Sequence, residues 1–456
     1  MALTLLVASG VALAVTKIGS AGAQSSVVGP GESIQKAVNA ADPGDTIVVR
    51  GVHREDVVIR KNGIKLRGDD AVIEAPTRAK ADSPCSKTFG PEAICVLGDV
   101  NIKTGKLTGP RVSDVSVSGF TIRGFKIAGK GDSSAFVIDV TAARNATVVG
   151  NRVIGNVAGG IVASRSVNTT VEKNHVIGNP KTSATGIIVE ASSRTTVVKN
   201  VVKSIPEGEN AIEVAEGIDT TIVGNDLIGN WVGVFVVDSP GTKILSNDIT
   251  DSTVVGTVIL DSTGTKIVSN DIHRSGDTGI AMFGPERANN DAKVVGNRIS
   301  GGPWGIYVSR AHGGSFTGNQ VHDNCAGMFF EAFKAEPVGD FEVKANTIED
   351  NTRSCRAAQF DRDFSGIGIA LLGASGMEVK GNHLSGNVPS GPTLVSGGVV
   401  VSTNPFVDGA PKPMNNSVIA NHFGRNKPDI FWDESGSGNR FVGNLCNTSV
   451  PTRLCD

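Results

Sequence analysis

Arg310, His312, His322, Glu331, Asp361 and Arg362 fall in one stretch of the second half of the chain, and their types suit one chemistry. Removing the C5 proton of a uronate needs a base, and it needs a cation that neutralises the sugar carboxylate. His312 or His322 is the expected base, and Arg310 or Arg362 the expected clamp. This reading requires an open cleft that holds several of these groups together with Glu331 and Asp361. The competing reading of the same residues is a surface salt-bridge network on a long loop.

The elements that must position these groups are set by a repeat. Thr147-Val148-Val149-Gly150-Asn151 recurs as Thr170-Val171-Glu172-Lys173-Asn174, Thr196-Val197-Val198-Lys199-Asn200 and Thr221-Ile222-Val223-Gly224-Asn225. The asparagines continue at 247, 270, 297, 319, 346, 382, 421 and 444, mostly 22–27 residues apart. Each unit holds three short β-prone runs, and the first two are separated only by a bend that asparagine and glycine tolerate. A second glycine opens the third run, as in Gly160-Ile161, Gly279-Ile280 and Gly305-Ile306. Links this short leave no room for the crossover helices of a layered α/β sheet. No unit buries its apolar face alone, so units must stack. The fold expected is all-β: a right-handed, single-stranded parallel β-helix of about twelve coils, with its asparagines in a vertical ladder. At a step of about 4.8 Å it forms a rod about 55–60 Å long.

The ends need covers, because strand edges invite aggregation. Apolar positions 34, 37, 38 and 41 have helical spacing and precede Asp42-Pro43-Gly44-Asp45, so a capping helix is expected there. At the far end Cys446 and Cys455 are placed to close a loop over the last coil. Spacing also pairs Cys85 with Cys95 and Cys325 with Cys355, and no C-x-x-C suggests a metal. The apolar run Leu3–Val15 followed by Ala21-Gly22-Ala23 reads as a secretory signal peptide, although no Lys or Arg precedes it. The expected organisation is 1–23 signal peptide, 24–110 cap and first coils, 111–445 repeats, and 446–456 disulfide loop. The mature protein is expected to be extracellular, monomeric and free of the membrane. With 43 Lys+Arg against 45 Asp+Glu and no basic stripe, nothing points to nucleic acid.

The segment Ser33–Ala75 and the later N-x-[IV] … G-I units resemble the pectin-lyase-like right-handed parallel β-helix family. The resemblance spans nearly the whole mature chain and implies the fold, but that family hosts lyases, hydrolases, epimerases, esterases, tailspikes and non-enzymatic surface proteins. It also implies that substrates lie along the sheet built from the Gly-Ile-x-Val runs. The family's lyase and galacturonase signatures are not recognisable here, so no catalytic residue is carried over.

Counting outward from each glycine, one row of that sheet reads Val162, Ile188, Glu213, Phe235, Val258, Ala281, Tyr307 and Phe329. The next reads Ser164, Glu190, Ala215, Val237, Leu260, Phe283, Ser309 and Glu331. Phe235, Phe283, Tyr307 and Phe329 are the expected sugar-stacking platforms, unless long loops bury them. Two carboxylates one or two coils apart would stand about 5–10 Å apart, which spans both glycosidase geometries. Two functions stay open: a secreted lyase or epimerase on an acidic polysaccharide, or a non-catalytic β-helix that binds polysaccharide or a cell-surface glycan. No cofactor or metal is required, and Ca2+ enters only with a lyase.

Overall fold

The computed structural model describes residues 23–76, 92–101, 104–125, 136–156, 159–178, 184–205, 208–284, 291–333, 338–357 and 362–456. Two parallel sheets carry the chain: one of 27 strands, bent along the asparagine corner into two strips, and one of 15 strands, the groove sheet. In one coil Thr221–Val223 and Asp226–Ile228 form the two strips and Val232–Val237 the groove strand. Each pairs with its equivalent in the next coil, so the chain is a parallel β-helix.

The corner explains the register. Asn225 donates from its backbone N–H and from Nδ2 to Asn247 Oδ1, both at 2.9 Å, and from Nδ2 to the Val197 carbonyl at 3.0 Å. Its own Oδ1 accepts the same pair of bonds from Asn200. A fully buried amide therefore leaves nothing unsatisfied. The pattern runs without a gap from Asn151 to Asn444.

Inside, Ile161, Ile187, Ile212, Val234, Thr257, Ile280, Ile306 and Met328 stack in register, each fully buried. All of these residues but Ile212, which follows Ala211, are preceded by a glycine that allows close approach. A Cβ on Gly279 would stand 2.6 Å from the Gly305 carbonyl oxygen and 2.4 Å from Ile299 Cγ2.

The capping helix spans Ile34–Ala40, with Ser33 as N-cap and Ile34 and Val38 buried. Cys446–Cys455 closes the loop at the other end, and Cys325–Cys355 ties the hairpin Cys355–Ala357/Arg362–Phe364 to the groove edge. Cys95 is disulfide-bonded, while Cys85 and the expected signal segment 1–22 lie outside the described residues. No helix among the described residues is long and apolar enough to cross a membrane.

Candidate functional site

Register alone puts the first expected outward row in one line from Asp139 to Phe431, and the second from Thr141 to Ser402. Side-chain volume along the first row is uneven. Phe235 and Tyr307 flank Val258 and Ala281, and two coils of small side chains between bulky ones leave a hollow. It has a volume of about 240 Å³. Val255, Val258, Thr278 and Ala281 lie along the same two strands, and Asp277, Phe283, Trp304 and Tyr307 complete the lining.

Three rings are fixed around this hollow. Phe283 and Tyr307 stand 5.8 Å apart at 53°, and Trp304 and Tyr307 5.9 Å apart at 62°. Trp304 stacks on Phe364 at 4.7 Å, on the hairpin that the Cys325–Cys355 bridge holds down. Tyr307 donates its hydroxyl to Glu331 Oε2 at 2.6 Å, and Asn404 Nδ2 donates to Glu331 Oε1 at 2.8 Å. Glu331 is fully buried, and burial pushes its carboxyl up, against these two donors. The same burial, with Glu331 beside it, raises the Tyr307 phenol. Asp277 is half-buried; desolvation raises it, and its one side-chain hydrogen bond comes from Thr278 Oγ1 at 3.0 Å. The Arg310 guanidinium lies over the Phe283 ring, 5.8 Å from its centroid.

The structure thus gathers Phe283, Tyr307, Phe329, Glu331 and Arg310 on one face, and Phe235 lies farther along it, half-buried. Phe329 is not presented to a sugar. Only 2% exposed, it stacks on Tyr307 and is covered by Phe406, which the Asn404 turn brings across. The two candidate bases are not brought together. His312 follows the groove strand Trp304–Ser309 and pairs with Asp340 at 3.4 Å. His322 precedes the groove strand Ala326–Glu331 and pairs with Asp323 at 2.7 Å. They stand at opposite edges of the sheet, a six-residue strand or about 20 Å apart. Arg362 sits exposed on the hairpin, and Asp361 lies outside the described residues.

One acidic pair escaped the sequence reading. Glu92 and Asp139, 2% and 5% exposed, have carboxylate oxygens within 4.8 Å of each other and of Cys95 Sγ. Thr141 Oγ1 donates to Asp139 Oδ1 at 2.6 Å. Burial drives Glu92 well up and moves Asp139 up to about 6, so both carboxyls hold a proton to higher pH than in water. As a metal site the pair is thin: Cys95 is committed to a disulfide, and two carboxylates fall short of the six to eight oxygens that Ca2+ takes. Asp139 follows Val58 and Cys95 in the outward row, in the strand Phe136–Thr141, which opens without the Gly-Ile signal.

Residues 45–249 and 232–407 match the family described as right handed beta helix region. The chain belongs to the right-handed β-helix family. Its coil is right-handed accordingly, in line with the resemblance of Ser33–Ala75. Among solved structures, this β-helix is similar to the mannuronan C-5 epimerase AlgE6 A-module of Azotobacter vinelandii, at 15% identity and TM-score 0.50, covering 91% of this chain and 93% of that one. It is also similar to DFA-IIIase from Arthrobacter chlorophenolicus A6 in complex with GF2, at 12% identity and TM-score 0.51, covering 70% and 94%. At such identities the likeness speaks for the fold. No curated protein matches the chain by sequence.

Proposed function

We propose that this β-helix binds carbohydrate outside the cell, a glycan lying along the groove sheet with one sugar ring in the hollow between Val258 and Tyr307. The observation that carries this reading is the hollow itself: three ring walls, a carboxylate and a small-residue floor. Aromatic faces cover the C–H surface of a sugar, while a polar group at the rim orients its hydroxyls. The disulfides Cys325–Cys355 and Cys446–Cys455 support an oxidising location.

A lyase or epimerase would need a base and a cation at one carbon. His312 and His322 each pair with an aspartate of their own and neither lines the hollow, so binding is the function that the hollow supports. Calorimetric titration with a panel of soluble glycans tests this. At least one should bind, and Ala281→Phe, which fills the hollow, should abolish that binding while leaving the unfolding midpoint in place. Binding to none, or equal binding by Ala281→Phe, overturns the reading. Ultraviolet-absorbing unsaturated product from an oligouronate would restore the lyase.

A further inference from the structure

We infer that the hollow selects an amine-bearing sugar, its ammonium group held between Asp277 and the rings of Trp304 and Tyr307, with Phe283 farther along the same strand. This rests on the glycan-binding reading above and names its ligand class. Aromatic rings carry negative charge on their faces, and rings tilted toward one space form a cage for a cation. Tyr307 makes angles of 53° and 62° with Phe283 and Trp304, so the three rings do not form one flat stack; one face of Trp304 is taken by Phe364 and one of Tyr307 by Phe329. Phe283 already has a cation, Arg310, over its ring.

Asp277 supplies the counter-charge. It lines the same hollow, and no Lys, Arg or His pairs with it among the described residues. Its sole side-chain partner is Thr278 Oγ1. A carboxylate partly withdrawn from water beside three rings is poorly compensated by one hydroxyl, and a bound ammonium would complete it. Trp304 adds a directional contact. Its indole N–H is buried with no hydrogen-bond partner among the described residues, a donor that a sugar oxygen would take up.

Part of the approach carries the same sign. Glu213 stands in the first outward row, and Glu190 in the second is paired with Arg165 at 3.4 Å. One residue beyond the second row, Glu216, Asp238 and Asp261 occupy successive coils, all exposed and all in the left-handed backbone region that forms the corner. Arg165 and Arg310 hold the same register position at either end of this run, so the carboxylates of Glu216, Asp238 and Asp261 favour a polyamine over a polyuronate on their three coils.

The test is calorimetric titration of the full chain with three oligosaccharides of equal length: a glucosamine hexamer, its fully N-acetylated counterpart and an oligouronate. The glucosamine hexamer should bind at least tenfold tighter than the acetylated one, with the oligouronate weakest. Asp277→Asn should erase that preference, and Arg310→Gln, which removes the positive charge at the rim, should strengthen amine binding. Equal or tighter binding of the acetylated hexamer or the oligouronate overturns the amine inference and leaves the glycan-binding reading standing. If none of the three binds and a wider panel also fails, both fall.

Discussion

Tyr307 and Glu331 are joined across one coil of the groove sheet by a 2.6 Å hydrogen bond, so the sole tyrosine of the chain is a wall of the hollow anchored from beneath. Tyr307→Phe removes one of the two donors that Glu331 has. Leaving a buried carboxyl short of a partner should lower the unfolding free energy by about 1–3 kcal/mol in urea denaturation. No change would mean that the bond does not hold the wall.

The buried acid pair predicts an inverted pH dependence. An aspartate at about 6 in the folded chain and at the ordinary 3.8 when unfolded keeps a proton that the unfolded chain releases between those values. Stability from this group therefore rises as pH falls from about 6 to about 4 and is at its lowest above 6. Comparing wild type with Asp139→Asn isolates it: the variant should lose this slope and be more stable at pH 7, by roughly 3 kcal/mol at most. A wild-type-minus-variant difference that is flat across pH 4–6 would contradict the raised aspartate.

The corner ladder should be intolerant of charge and of truncation. Asn225→Ala strands the backbone N–H and Nδ2 of Asn200, which both end on the lost oxygen, and is expected to cost about 2–4 kcal/mol. Asn225→Asp should cost more at neutral pH, since it loses the Nδ2 donor to Asn247 and sets a carboxylate against that residue's oxygen. Thermal unfolding measures both, and an Asp variant as stable as wild type would contradict the ladder.

One inward position breaks the apolar stack. Thr257 is fully buried between Val234 and Ile280, and its hydroxyl has no partner among the described residues. Thr257→Val keeps the shape and removes the unsatisfied group, so it should raise stability by about 1 kcal/mol. A loss of stability would show that the hydroxyl is satisfied.

Local signals made the coil legible. The Gly-Asn bend sets a corner, the two-residue period sets inward from outward, and both survive stacking unchanged. A second ladder was written five residues after the first, at Asn324, Asn351 and Asn387, and it ends on Asn426 and Asp429. It was passed over because Ser252, Ser275 and Gly302 interrupt the run. The site was less legible because it depends on long-range cover. Asn404 and Phe406 reach over Glu331 and Phe329 from far along the chain, and no spacing near Phe329 announces them. Asp139 is hidden for a local reason: its strand begins Phe136-Val137 where most later coils carry glycine, so the glycine signal leaves out the first members of the outward row, Val58, Cys95 and Asp139.

The most direct test uses Trp304 as its own reporter. In a protein carrying Trp231→Phe and Trp432→Phe, only Trp304 of the three tryptophans remains, at the wall of the hollow. Titrating the glucosamine hexamer should shift or quench its emission with the same Kd that calorimetry gives, and Ala281→Phe should remove both signals together. Calorimetric binding with unchanged Trp304 emission would place the ligand elsewhere and contradict the account.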